Sequence, residues 1–429
     1  MSETKSATLV PRKPKITFFG HFGTENFGNE ATLQAIHFNL RLLMPEAEFT
    51  CICAFPANAS ATHGIAAFPI NPPVIAAWVP KTRAARLIRK VVIGIPNELY
   101  RWWDTFRKLK GTDALIVPGT GLLTDAHDLF NWGPYGLFRW SVLAKMRGCK
   151  LFFVSVGAGP LSRRLGRLFA TLALGLADFR SYRDVSSLEY MKSIGFGAAN
   201  DEVYPDLAFS LPPALIPRES QTSERRPVVG LGLMHHAGMY GDITHDDKTY
   251  QKYTETLLDL VKWLLDRGYD VRLLIGELRD PVSEFRRLLD ERLPGLEPTR
   301  IQHASVTSVE ALLAQFADTD FVLVTRFHNI IFALLNDKPV VSISFHSKCA
   351  SLMCDMGLSE YCLRIDRVEI DELIGKVRNV QNNSHQLRAL IASRTENFRL
   401  SLEEQYQLIV SHWGVQAIQS SEEVSPKIS

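Results

Sequence analysis

An arginine and a histidine stand two residues apart in Thr325-Arg326-Phe327-His328. They lie between a short apolar run, Phe321 to Val324, and a second apolar run that continues to Leu335. The first run suits a buried parallel strand and the second a helix. Open α/β sheets bind ligands where strands end, and helix N-termini favour anions. Arg326 can grip an oxyanion through its planar fork, and His328 can give or take a proton near neutral pH. The same residues also admit a framework reading, in which Arg326 pairs with a structural carboxylate and His328 caps the helix. Lys348 follows Pro339-Val340-Val341-Ser342-Ile343-Ser344-Phe345, another strand-to-helix junction. Arg326, His328 and Lys348 would then line one rim of a sheet, holding a buried anion with a proton-transfer group beside it.

The first half of the chain supplies further turns of this kind. Lys15 to Gly20 reads as a strand, followed by the turn Gly20-His21-Phe22-Gly23-Thr24-Glu25-Asn26-Phe27-Gly28-Asn29-Glu30 and a helix to about Leu43. This is the layout of a phosphate-binding loop. Its spacing is neither G-x-G-x-x-G nor a Walker motif, so a tight turn that needs glycine for its backbone angles stands beside that reading. Residues 56–73, rich in Ala, Pro and Asn, read as a loop. Asp113 to Pro118 is another buried strand, ending in Gly119-Thr120-Gly121-Leu122-Leu123-Thr124-Asp125. Lys150 to Val156 ends in Gly157-Ala158-Gly159-Pro160, Phe179 to Tyr182 leads to Arg183-Asp184, and the last strand of this half precedes Pro205-Asp206.

Positioning so many strand ends requires an α/β protein with two doubly wound Rossmann-like domains. A chain of 429 residues also exceeds one ordinary core. Leu211 to Arg226, rich in Pro, Ser and charge, reads as the linker between domains over 15–210 and 226–383. A helix over 384–415 is long enough to bridge back to the first domain, and residues 1–14 and 416–429 read as disordered.

Hydrophobic residues make up 46% and charged residues 22%, a globular composition. A net charge of +2 gives no global field for nucleic acid. No stretch reaches the roughly 18 apolar residues of a membrane span, and Met1 to Lys15 carries no signal-peptide h-region. The six cysteines form no CxxC pair, which predicts free, mostly buried thiols in a reducing cytoplasm. His235, His236, His245, Asp246 and Asp247 match no ligand spacing, so no metal is expected. Residues 78–110 are unusual. Lys81 to Lys110 holds nine basic and two acidic residues, with Trp78, Tyr100, Trp102 and Trp103 in or beside it. Such a surface could dock on anionic membrane; a solvated helical pair with its tryptophans packed inward is the other reading.

Taken in series, several motifs resemble the polysaccharide pyruvyl transferase family. They are the Gly20–Glu30 turn, Gly-Thr-Gly-Leu-Leu-x-Asp at 119–125, Gly-x-Gly-Pro at 157–160, Tyr-Arg-Asp at 182–184 and Pro-Asp-Leu-Ala-Phe at 205–209. Arg-x-His-x-x-x-Phe-Ala at 326–333 and the downstream Lys348 complete the set. Asn29 stands where the family has an aspartate, and Pro118-Gly119-Thr120-Gly121 replaces a fuller glycine triplet. The resemblance implies two domains facing across a cleft, as in GT-B glycosyltransferases, with the acceptor on the first domain and the donor on the second. It implies transfer of the enolpyruvyl unit of phosphoenolpyruvate to two hydroxyls of one sugar, giving a pyruvate ketal. The acceptor would be a cell-envelope or exopolysaccharide glycan, often lipid-linked, reached at the inner face of the membrane.

On that basis His328 is the candidate acid, with Glu30 or Asp125 as the carboxylate that deprotonates a hydroxyl. Arg326, Lys348 and Arg183 are candidates for the donor anion, with Gly23, Asn26, Gly28, Gly119, Gly121, Gly157 and Gly159 shaping the facing turns. No cofactor or metal is required, and phosphoenolpyruvate is itself the donor. Two alternatives stand beside this reading: a nucleotide-sugar glycosyltransferase of the same architecture, and a non-catalytic carbohydrate-binding protein. Buried unpaired charge at several strand ends disfavours the second, because it is costly without a ligand.

Overall fold

The computed structural model describes residues 12–24, 26–72, 82, 89–125, 133–217, 225–234, 247–275, 281–295 and 297–413. It contains two parallel sheets. The first is built from β1 (Lys15–Gly20), β2 (Glu48–Cys53), β3 (Ala66–Pro69), β4 (Ala114–Pro118), β5 (Lys150–Val156), β6 (Phe179–Tyr182) and β7 (Glu202–Val203), in the order β3-β2-β1-β4-β5-β6-β7. The second contains β8 (Val228–Gly232), β9 (Asp270–Leu274), β10 (Ile301–Gln302), β11 (Phe321–Val324), β12 (Val340–Ser344) and β13 (Cys362–Arg364), in the order β10-β9-β8-β11-β12-β13. Each is a doubly wound sheet whose order reverses beside its first strand, which opens a crevice at the carboxyl edge. Strands β4, β8, β11 and β12 are buried along their whole length, as their unbroken apolar runs require.

The loop expected over 56–73 is instead a helix, Pro56–His63, and the edge strand β3. Pro56 begins the helix, where its missing N–H costs nothing, and Gly64 ends it at φ 65°. Composition hid both elements because the helix buries only Ala59 and β3 sits at a sheet edge. At the N-terminus, Arg12 and Lys13, expected to be disordered, are placed: Arg12 pairs with Asp113 and donates to the Gly111 carbonyl. The rest of that expectation, the tail beyond 413, much of the linker and the cluster at His235, His236, His245 and Asp246 lie outside the described residues. Of the cysteines, four are buried, Cys362 is half-buried and Cys354 is exposed; all six are free.

The two domains share one apolar cluster that runs through the helix Phe27–Leu43 into the second sheet. Across the same contact Gln34 donates to Glu310 at 2.5 Å. The terminal helix Ser384–Ser411 spans both domains. Arg388 donates to the Asp320 carbonyl in the second, while Tyr406 meets the Ser210 hydroxyl at 2.7 Å in the first. Gln405, fully buried, links the hydroxyls of Ser155 and Ser181. Ser155 occupies left-handed backbone at φ 49°, where the β5–β6 register shifts, so this helix braces a strained bend two residues before Gly157. Gln405→Leu should therefore cost about 1–3 kcal/mol by stranding the buried Ser155 hydroxyl and removing one of the two partners of the Ser181 hydroxyl. Denaturant unfolding reads it, and an unchanged midpoint would remove Gln405 from the brace.

Candidate active site

The strand β11 ends at Val324, and Arg326 then takes the N-cap position of the helix Phe327–Leu335. Its backbone turns Phe327 and His328 toward the first domain. The His328 ring lies directly over Gly28, in the first turn of the helix Phe27–Leu43: a Cβ on Gly28 would fall 2.0 Å from Nδ1. Only glycine lets the imidazole sit here, so the residue pair ties the two domains at one point. Nε2 stands 4.0 Å from Oδ2 of Asp206, and neither atom has a hydrogen-bond partner within the protein. Asp206 is itself buried, its other oxygen accepting the Ala208 N–H at the start of a short 3-10 turn.

Arg183 completes the arrangement. Its guanidinium lies against Gly157, where a Cβ would come within 2.6 Å, and over the Phe327 ring at 4.7 Å. It reaches Asp206 at 3.5 Å and Asp184 at 3.4 Å. Asp184 is fixed as the N-cap of the helix Val185–Ser193 by the Ser187 N–H and the Ser186 hydroxyl. The ammonium of Lys348 stands 5.7 Å from the same Phe327 ring. A cavity of about 350 Å³ opens among Arg183, Asp184, Asp206, Phe327, Lys348 and Phe398, the last from the terminal helix. It is therefore lined by both domains and by the helix that bridges them.

The electrostatics follow from this crowding. Burial, reinforced by Arg183, Lys348 and Arg326, holds His328 well below the ordinary imidazole range and so keeps it neutral. Burial and Arg183 bring Lys348 down to about 8. Burial pushes Asp206 up against the opposing pull of Arg183. For Asp184, burial acts upward, but Arg183 and the hydrogen bonds from Ser186 and Ser187 outweigh it and hold the carboxyl below its usual range. Arg183, Lys348 and Arg326 act together on one imidazole, and three carboxylates, Asp184, Asp206 and Asp355, line the adjoining cavity. Arg183 and Lys348 can meet a small anion there.

Several expected residues have other duties. Both oxygens of Glu30 are engaged, one by the Gly23 N–H at 2.8 Å and the other by His63 at 2.7 Å, and the group is buried. Asp125 accepts the Ser162 and Arg163 N–H groups and the Ser162 hydroxyl at the start of the helix Arg164–Gly175, close against Gly166, so both its oxygens serve as a cap. The first glycine turn is also not an open phosphate cradle. The N–H of Gly23 is spent on Glu30, and those of Gly28 and Asn29 on the Asn26 side chain. Gly23, at φ 73°, has the Phe55 carbonyl where a Cβ would stand. Asn29 donates to the His21 carbonyl at 3.0 Å, which an ionised aspartate could not do. Gly119 packs near the Ser155 carbonyl, Gly159 lies under the Tyr190 ring, and Gly121 faces open space. Thus Arg183, Gly157, Gly28, His328 and Lys348 come together, Arg326 adds its charge to the group, and Glu30, Asp125, Gly119, Gly121 and Gly159 stand apart. Asp206 was the residue missed. Its signal was present in Pro205-Asp206, a carboxylate directly after a strand.

Solved structures share this architecture at low identity, which defines the fold alone. An enzyme described as a UDP-N-acetylglucosamine 2-epimerase from Listeria monocytogenes matches with a TM-score of 0.61 and 11% identity, over 94% of this chain and 97% of that one. The Anabaena protein HepE, solved with UDP and glucose, matches with a TM-score of 0.60 and 14% identity, over 94% and 99%. The fold is thus the two-domain GT-B arrangement, with the candidate site in its cleft. Residues 26–347 match the polysaccharide pyruvyl transferase family, and the chain belongs to it. A relative is the amylovoran biosynthesis protein AmsJ of Erwinia amylovora, 21% identical over 90% of this chain and 96% of that protein.

Two outcomes follow from the geometry. Asp125→Ala should lower stability by about 1–2 kcal/mol through its lost cap while turnover stays near that of the parent; lost turnover at unchanged stability would return Asp125 to the chemistry. His328 is neutral when folded but titrates near its ordinary 6.5 when unfolded. The unfolded chain therefore binds the extra proton below that pH, and stability falls as pH drops through it. Replacing His328 with Gln should shrink this loss, measured as denaturant midpoints at neutral and mildly acidic pH. An identical pH profile in the variant would show that His328 is not held neutral.

Proposed function

We propose that the protein transfers the enolpyruvyl group of phosphoenolpyruvate to two hydroxyls of one sugar in an exopolysaccharide precursor, forming a pyruvate ketal and releasing phosphate. The observation that carries this reading is the neutral, half-buried His328 set among Arg183, Lys348 and Arg326, next to Asp206. Phosphoenolpyruvate brings a phosphate and a carboxylate, which these cations can hold, Arg183 and Arg326 by forked contacts and Lys348 as a point charge. The arriving negative charge reverses the balance around His328, which then takes up a proton. Asp206, 4.0 Å away, favours the imidazolium and steadies its orientation.

His328 then gives that proton to the methylene carbon of the donor. The resulting oxocarbenium-like centre is attacked by the first sugar hydroxyl, whose proton returns to the now neutral His328. The C–O bond to phosphate breaks, and the second hydroxyl closes the ring. Of the two hydroxyl protons, one balances the proton now in the methyl group and the other leaves with phosphate. No cofactor or metal enters this scheme. The acceptor is proposed to be lipid-linked, with the enzyme at the cytoplasmic face of the membrane. HepE binds UDP and glucose in its structure, so a nucleotide-sugar donor is the reading to be separated from this one.

The deciding experiment mixes protein, phosphoenolpyruvate and lipid-linked glycans and follows phosphate release and the ketal methyl group. Turnover of a nucleotide sugar with none from phosphoenolpyruvate would sink the proposal. His328→Ala should abolish turnover while donor binding survives; near-normal activity would remove His328 from the mechanism. With Lys348 near 8, the free enzyme loses this charge as pH rises through that value. Donor kcat/KM should therefore decline above about pH 8, and Lys348→Arg should flatten the decline. Calorimetry in buffers of different ionisation enthalpy should also show proton uptake on donor binding, which a fixed protonation state would not give.

A further inference from the structure

The first domain carries an apolar surface that its own core leaves uncovered. Between Lys90 and Lys108 a short π-helical turn runs into a helix, Ile95–Lys108. Its inner face packs Trp102, Phe106 and the buried Thr105 against the domain, with the Trp102 N–H donating to the Tyr135 hydroxyl. Its outer face presents Val92, Ile95, Leu99 and Trp103, each more than half exposed at 65%, 55%, 66% and 55%. The alternatives raised by the sequence thus divide within one pair, Trp102 inward and Trp103 outward. Trp78, Lys81, Arg83 and Arg86 lie outside the described residues.

A second row was invisible in the sequence. The helix Arg164–Gly175 exposes Leu165, Leu168 and Leu172 along one side at helical spacing. Both helices flank the helix Pro134–Met146, whose Tyr135 joins them: its hydroxyl meets Trp102 and Glu98, and its ring meets Phe169. In a wound parallel sheet, helices run against the strands and begin at the carboxyl edge. Asp125 confirms this for the second helix by tying the Arg163 N–H to the loop after β4. The exposed rows therefore start at the edge where Arg183 and Asp206 gather.

Charge identifies the occupant. Arg163, Arg164 and Arg167 are exposed at the start of the second row, and Arg107 stands over the Trp103 ring at 5.1 Å on the first. Among the described residues nearby, Glu98 pairs with Arg139 and Tyr135, and buried Asp104 with Lys108 and Arg107. An apolar centre with a cationic rim matches a lipid surface, where anionic headgroups lie over acyl chains. A two-fold contact with a second copy would set these arginines against themselves. No described helix is long and apolar enough to cross a membrane, so contact would be by lying in the interface.

We propose that the outer faces of the helices Ile95–Lys108 and Arg164–Gly175 form one docking surface for an anionic phospholipid bilayer, which brings the cleft mouth to the membrane. Its value for a lipid-linked acceptor rests on the proposed reaction, but its test contains neither donor nor acceptor, so the two readings fail separately. Full-length protein is sedimented with vesicles of phosphatidylcholine and phosphatidylglycerol, or of phosphatidylcholine alone, at low and high salt. Binding is expected on the anionic vesicles at low salt and should weaken at high salt. The pair Leu99→Glu and Trp103→Glu, the single Leu168→Glu, and the pair Arg163→Gln and Arg164→Gln should each weaken binding by about tenfold or more. Leu42→Glu, at an exposed site on the helix Phe27–Leu43, should not. Melting curves confirm that the variants are folded. No binding at low salt, or equal loss in the Leu42 control, overturns the proposal. A concentration-dependent dimer dissolved by Leu99→Glu and Trp103→Glu, with no vesicle binding, would instead assign the face to a second copy.

Discussion

The constraint on which this structure turns is the gathering of Arg183, Lys348 and Arg326 around one half-buried imidazole. Each cation loses hydration on entering the cleft, and in low dielectric the protein must compensate or leave the site ready for a counter-charge. Asp184 and Asp206 face Arg183, Asp355 lines the same cavity, and Arg183 and Lys348 both approach the Phe327 ring. Burial and the neighbouring cations hold His328 neutral.

Holding that cluster in place occupies much of the surrounding framework. Gly28 and Gly157 are the two points where the absence of a Cβ admits a functional side chain, the imidazole in one case and the guanidinium in the other. Around them, carboxylates that resemble catalytic groups are used as fasteners. Glu30 closes the first turn onto Gly23 and His63, Asp125 caps a helix, and Asp184 caps another while steering Arg183. The terminal helix acts at longer range. Gln405 braces the bend at Ser155, Phe398 lines the cavity, and Arg388 holds the second domain. A change of angle between domains would move His328 off Gly28.

Much of this was written plainly in the chain. The unbroken apolar run Phe321–Val324 predicted a buried parallel strand, because a strand covered on both faces cannot alternate, and the run after Pro339 was read as a second strand. Two doubly wound domains followed from the repeated strand-turn-helix order, and the motif series pointed to the family that residues 26–347 match. Arg183, His328 and Lys348 were visible because charge at the carboxyl end of a buried strand is conspicuous. The helix Pro56–His63 and strand β3 were not visible, since each buries too little to leave a periodic signature.

What the sequence by itself determined was therefore local: which residues form strands, where turns need glycine, and which charges stand at strand ends. Only the tertiary structure decided which carboxylates are free to act. Glu30, Asp125 and Asp206 have similar settings in the chain, each in a polar turn after a strand. Their roles separate because hydrogen-bond partners come from distant segments. His63 lies 33 residues beyond Glu30, and Ser162 lies 37 beyond Asp125. The imidazole near Asp206 comes from the other domain and faces an oxygen that also lies 3.5 Å from the Arg183 guanidinium. Glu30 and Asp125 are held by hydrogen bonds at both oxygens, whereas Asp206 faces a histidine. That distinction is a matter of distance in space, which spacing along the chain does not contain.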